Sequence, residues 1–317
     1  MGVVNVAVGG AKRLVRTRVL EQQLRQGMPA ILAQKAARPA FRRLWDAEVS
    51  VFSQWGEDGI LDYLCDFLGL GRPSVVEFGA ADFQECNSRF LAEYRNANVL
   101  AVDGRSDLES TVKKLFVGWR TTVDAVQAWI TPENADALLT RARTAFGGVD
   151  IVSLDIDGND YWVAESLDLT GVSIVVVEYQ PLFGGALPVS VPRNDTFDRG
   201  KEHYSWLYYG ASLRAYVELF QDRGFTLVGT NRPVNNAFFV RNDRLEGFPL
   251  ELPDPSADLS DYVDGRIRES RDESGKLDHL SGAARVEVMA DMPLVNTATG
   301  DRLTVGSSAQ AVWHPGP

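Results

Sequence analysis

Between residues 74 and 178 the chain alternates five short apolar runs with stretches of helical periodicity, and this alternation restricts the fold more tightly than any other feature. The runs 75–78, 99–102, 122–126, 151–154 and 174–177 show no regular apolar/polar alternation, as strands do when both faces of a parallel sheet are covered. The intervening stretches 87–95, 108–115, 132–146 and 161–167 read as helices, and Thr131-Pro132 supplies a cap and a first-turn proline for the third. Strand and helix in strict succession predict a doubly wound α/β domain. After a polar loop at about 180–204 and a helix at 212–223, two runs at 225–229 and 237–240 flank Pro233 and Asn235-Asn236. A closing hairpin-like pair sets this chain apart from doubly wound cofactor domains that end on another parallel strand.

The flanks differ from this centre. Nine Lys and Arg face the single acid Glu21 between Lys12 and Arg43, so that segment carries about +8 while the whole chain is −11. Its apolar spacing predicts a helix over 12–45, interrupted at Pro39. Such a helix packs on the acidic body or on a second copy in a homodimer, or serves as a basic arm for anionic lipid or a phosphorylated substrate. The tail beyond Asp243 is rich in Asp, Pro and Ser, with a small hairpin expected from 284–289 and 302–305 around Thr299-Gly300-Asp301. The expected division is a basic helical extension at 1–50, a catalytic domain at 51–245 and a C-terminal extension at 246–317 that covers the sheet edge or makes a dimer contact.

An acidic chain lacks the cationic face that nucleic acid requires, so no nucleic-acid partner is expected. No apolar run reaches the roughly 20 residues of a transmembrane helix, and residues 1–10 lack a basic leader and a cleavage pattern, which predicts a cytoplasmic protein. Cys65 and Cys86, the two cysteines, supply neither a disulfide framework nor a zinc cluster and are expected as buried thiols.

Ligands of open parallel sheets bind at the carboxyl ends of the strands, beside the switch in strand order. There the first strand leads into Glu77-Phe78-Gly79-Ala80-Ala81-Asp82-Phe83, a small-residue turn that lets backbone approach a ligand. The three-glycine dinucleotide pattern is absent, which disfavours a nicotinamide oxidoreductase. Asp103 ends the second strand 24 positions after Gly79, near the offset of an acid that accepts hydrogen bonds from a ribose. The fourth strand ends in Asp155-Ile156-Asp157-Gly158-Asn159-Asp160, where three close carboxylates call for a cation, donors or a ligand, although Asp160 also fits as a helix cap. Glu178 closes the fifth strand on the same rim. Asp155, Asp157 and Glu178 are therefore candidate ligands of Mg2+ or another divalent cation. Asp155, Glu178 and His203 are the candidate catalytic groups, and the loop aromatics Tyr204, Trp206, Tyr208 and Tyr209 offer faces for a sugar ring or fill the core.

The ordered set Ser53-Gln54-x-Gly56-Glu57-Asp58-Gly59, Glu77-Phe78-Gly79-Ala80, Asn87-Ser88, Asp155-Ile156-Asp157-Gly158-Asn159-Asp160-Tyr161, Tyr208-Tyr209-Gly210-Ala211-Ser212-Leu213 and Asn236-Ala237-Phe238-Phe239-Val240 resembles bacterial class I S-adenosylmethionine (SAM) dependent methyltransferases of the FkbM-like kind, over about residues 50–243. The resemblance implies a Rossmann-like seven-stranded sheet with an antiparallel last strand and O-methylation of sugars or natural products. It implies SAM as cofactor, held by Gln54, Glu77, Gly79, Ala80, Asp82, Asn87, Ser88, Asp103, Gly104 and Asp155, and a small-molecule or saccharide acceptor. Ala81 and Phe83 stand where many relatives have glycine or another small residue, and Asp103-Gly104 replaces a commoner Glu-Gly pair. The competing reading is a non-catalytic scaffold that keeps the fold and binds a partner.

Overall fold

The computed structural model describes residues 27–115, 122–256 and 269–309. Strands β1 (Ser74–Phe78), β2 (Asn98–Asp103), β3 (Val123–Gln127), β4 (Ile151–Leu154) and β5 (Ile174–Glu178) run parallel; β1, β4 and β5 are buried along their length, whereas β3, at the sheet edge, exposes Asp124 and Gln127. A two-residue strand, β6 (Val189–Ser190), leaves this sheet, and β7 (Phe225–Thr230) and β8 (Asn236–Arg241) rejoin it. The resulting order is β3-β2-β1-β4-β5-β8-β7, with β8 antiparallel to both of its neighbours. This is the Rossmann-like doubly wound seven-stranded sheet with an antiparallel last strand that the sequence predicts. Sheet growth reverses between β1 and β4, and a crevice opens there at the carboxyl ends.

Successive residues of each strand serve opposite faces. Val76, Phe78, Leu100, Val102, Val152, Leu154, Val175 and Val177 pack on one side, and Val75, Val99, Ala101, Ile151, Ile174 and Val176 pack on the other. The second face is covered by α1 (described over 27–37), α2 (Glu57–Phe67), α3 (Arg89–Arg95) and α4 (Leu108–Leu115). The first is covered by α5 (Pro132–Phe146), α6 (Asp160–Ser166) and, beyond the four-residue α7 (Arg199–Glu202), α8 (Leu213–Gln221). Helix α5 starts as expected at Thr131-Pro132, with the Asn134 side chain accepting the Thr131 amide at 2.9 Å, and stops at Gly147 in the left-handed region. Both cysteines are buried and unbonded. Among the described residues no helix is long and apolar enough to cross a membrane.

The N-terminal helix breaks at Pro39 as expected, and two expectations change in the tail. Residues 12–26 of the expected N-terminal helix lie outside the described residues, and the described part gives way after residue 37 to the 3-10 turn Arg38–Ala40. The segment expected as a strand at 284–289 is the helix α9 (Ala283–Glu287), because Val286 and Met289, three residues apart, share a face against a small third core. The tail hairpin instead joins β9 (Pro293–Asn296) to β10 (Arg302–Thr304), and β9 pairs with β6 from the loop at 180–204. That loop is therefore ordered by the tail, and its core of Leu182, Phe183, Val189, Phe197, Tyr208, Met289 and Leu294 lies beside the crevice.

The segment before α2 is folded by two acids. Asp58 Oδ2 accepts the amides of Val51, Phe52 and Ser53 at 2.7, 2.6 and 2.9 Å, and Glu57 accepts the Trp55 amide and the side-chain amides of Asn231 and Asn236. Burial pushes the Asp58 carboxyl up to about 7 from its ordinary 3.8, the three amides pull it back down, and the charge of Glu57 raises it again. Since the folded chain then holds this proton more tightly than the unfolded chain, stability is greatest at low pH in this respect and falls as pH rises from about 4 to 7. Urea denaturation is expected to show a wild-type loss of up to about 1.4 kcal/mol per pH unit across that window, relative to Asp58→Asn, which lacks the titrating group.

Candidate active site

The crevice at the carboxyl ends of β1, β2, β4 and β5 is a cleft of about 760 Å³, within the range of small-molecule sites. Gln54, Glu77, Gly79, Asn87, Asp103, Gly104, Asp155, Asp157 and Glu178 all line it. The same rim gathers residues from every strand end that the sequence marked.

Gly79 sits at φ +89°, and a Cβ there would lie 1.5 Å from the Asp155 carbonyl oxygen. The chain that follows β4 thus demands the glycine by itself, and the same residue lines the cleft. The loops after β1 and β4 touch backbone to backbone. Glu77 binds the loop ahead of α3: its Oε1 accepts the Asn87 amide at 2.7 Å, and its Oε2 accepts the Ser88 amide at 2.9 Å and the Ser88 hydroxyl. Asp103 Oδ2 accepts the Ala81 amide and Oδ1 the Arg105 amide, each at 2.8 Å. Burial raises the Asp103 carboxyl, while these two amides hold it back. The turn between them carries strain, since Ala81 and Phe83 adopt φ of 46° and 64°, a region that favours glycine. These are two of the positions at which the sequence departs from its resemblance.

The three carboxylates after β4 divide their tasks. Asp160 accepts the Ile156 and Gly158 amides at 2.7 and 2.8 Å and closes the loop; burial pushes it up to about 6. Asp157, at φ 57°, binds Arg199 Nη1 through Oδ1 at 2.5 Å, and the Arg199 guanidinium lies 4.0 Å from the centre of the Tyr209 ring. Asp155 and Glu178 face each other across β4 and β5. Burial is the first cause that drives both carboxyls well above their ordinary range, the neighbouring acids add to it, and Arg199 opposes it. One oxygen each from Asp155, Asp157 and Glu178 lies within 4.8 Å of the others, an all-oxygen donor set suited to a hard cation.

Other expected residues fall outside the cleft. His203 does not line it; its Nδ1 is 2.8 Å from Ser205 Oγ and its ring stacks on Tyr204. Ala80 and Ser88 are buried behind the wall, and Asp82 turns to its own loop, accepting the Gln84 amide at 3.1 Å. Of the loop aromatics, Trp206 reaches the cleft, whereas Tyr208 and Tyr209 belong to the third core. Sequence reasoning missed Trp55, Trp129, Arg199 and Asn236, all of which line the cleft. Trp129 lies two residues beyond β3, on the rim that the other strand ends mark, and is 55% exposed with its Nε1 donating to the Asp195 carbonyl at 2.8 Å.

No protein-family model and no curated protein matches the chain. Similar solved structures include a putative sarcosine dimethylglycine methyltransferase from Galdieria sulphuraria, at 13% identity over 54% of this chain and 62% of that one, with a TM-score of 0.33. A geranyl diphosphate methyltransferase in complex with SAM matches at 14% identity over 57% and 70%, with a TM-score of 0.34. The cyclopropane synthase MmaA2 from Mycobacterium tuberculosis matches at 13% identity over 56% and 66%, with a TM-score of 0.32. The chain spans 62% of the length of the first of these. At such TM-scores the likeness carries no argument about chemistry, and the fold rests on strand order and direction.

Because the added methyl would overlap the Asp155 carbonyl, Gly79→Ala is expected to lower stability by about 2–3 kcal/mol or more and to displace both loops. A shift of the urea midpoint without a change in slope would register it; an unshifted midpoint would mean that the two loops move apart freely.

Proposed function

We propose that this chain is a SAM-dependent methyltransferase that transfers a methyl group to a hydroxyl of a sugar, oligosaccharide or similar small polar acceptor. The observation that carries the reading is the acidic cleft at the β1/β4 switch point of a sheet whose β8 is antiparallel. A bound SAM presents a methyl group on a sulfonium, and a lining with Glu57, Glu77, Asp103, Asp155 and Glu178 suits a cationic ligand. In this reading residues 51–245 carry the chemistry and the two extensions flank it.

Gln54, Gly79, Asn87, Asp103 and Gly104 hold SAM, and Asp103 keeps a lone pair on each oxygen for a ribose hydroxyl beyond the amide it already accepts. Asp155 and Glu178 stand at the acceptor. A carboxylate whose proton affinity has been raised by burial is better matched to a hydroxyl proton near neutrality, so Asp155 or Glu178 takes that proton as the oxygen attacks. His203, away from the cleft, has no part in this scheme. Trp206 and Trp129 border the opening and supply apolar surface for a sugar ring. Much of the rate comes from holding the two reactants in line.

Calorimetry is expected to show SAM binding, weakened about ten- to a hundredfold in Asp103→Asn by loss of a charge-assisted hydrogen bond. No heat of binding with SAM would leave the scaffold reading in its place. With labelled SAM and a panel of hydroxylated acceptors, Asp155→Asn should retain SAM and lose about 10²–10⁴-fold in turnover. Turnover equal to wild type would remove Asp155 from the reaction.

A further inference from the structure

Three carboxylates converge where β4 and β5 end, and Arg199 is the cation set against them, bound to Asp157 at 2.5 Å. Among the described residues no other ion pair reaches Asp155, Asp157 or Glu178, so a single guanidinium serves three carboxylates. Independently, two buried oxygens beside the cluster receive no hydrogen bond: Glu178 Oε2 and Asn236 Oδ1. Asn236 is the register partner of Glu178 across β5 and β8, lines the same cleft and is 4% exposed. Its amide cannot simply turn over, because Nδ2 donates to Glu57 Oε1 at 2.8 Å, and that bond fixes the carbonyl oxygen as the free end. A buried acceptor held in one orientation beside an acidic pair calls for a positive partner, and a set made only of oxygens selects a hard one.

We propose that Asp155, Asp157, Glu178 and the side-chain carbonyl of Asn236 bind one divalent cation of the Mg2+, Mn2+ or Ca2+ class. With all three acids ionised, Arg199 leaves two negative charges, the charge that such an ion would balance, and Asn236 adds a neutral ligand from a third strand. Beside an acceptor hydroxyl the ion lowers that group's pKa and orients it. This use rests on the methyl-transfer reading; the binding of the ion does not.

Mn2+ is the probe, titrated into the whole chain without SAM while the electron paramagnetic resonance signal of the free ion is followed, with Mg2+ and Ca2+ as competitors. Saturation at about one ion per chain is expected, with affinity at least about tenfold lower in Asp157→Asn, Glu178→Gln and Asn236→Ala. Asp157 is 54% exposed at its side chain, so its variant should fold even if a buried one does not, and melting curves compare all three with wild type. Absence of saturable Mn2+ binding at millimolar concentration, or binding unchanged in both Asp157→Asn and Asn236→Ala, would overturn the proposal. SAM binding without Mn2+ binding means that the acids share protons and only the ion is lost. Mn2+ binding without SAM binding keeps the ion site and removes the methyl-transfer reading.

Discussion

The loops after β1 and β4 meet main chain to main chain, with Gly79 lying against the carbonyl of residue 155. That contact sits where the sheet reverses its direction of growth, and it sets the distance between the two halves of the cleft. Around it the acids are mostly employed in holding backbone: Glu77 the start of α3, Asp103 the turn at residue 81, Asp160 the loop that begins at residue 156, Asp58 the segment before α2. The exceptions are Asp155 and Glu178, and the chemistry falls to them.

The fold was legible because parallel strands covered on both faces need uninterrupted apolar runs, and few other structures do. The runs at 151–154 and 174–177 were placed to within a residue of β4 and β5, and the closing pair at 225–229 and 237–240 to within a residue of β7 and β8. The tail was less legible. A stretch such as 284–289 has too few residues to distinguish a period of two from one of 3.6, and it was settled by a core assembled from residues a hundred positions away.

Of the site, the residues on strand ends were legible because topology alone takes them to the rim. Asp103, Asp155 and Glu178 are there for that reason. His203 was a choice by residue type, and type does not say which way a loop faces. Trp129 follows the same strand-end rule as Asp103 but carries a side chain with no strong chemical signature, and Asn236 reaches the rim from the start of the antiparallel β8, where that rule does not look, so pattern reading passed over both. The positive φ of Ala81, Phe83 and Asp157 shows the cost of the arrangement: local conformation is strained where the turns at the cleft are tightest.

The lip that carries Arg199 and Trp206 is fastened in part from outside the main sheet, since β6 pairs with β9, more than a hundred residues later. The end at β1 and β2 is anchored in the large sheet, whereas the far lip is held on two sides: by the three-stranded annex, and by the loop after β4, where the Asn194 amide donates to Asn159 Oδ1 and the Gly210 amide to the Gly158 carbonyl. A change in the annex therefore reaches the cleft through the lip, while the β1 and β2 end keeps its own strand pairings.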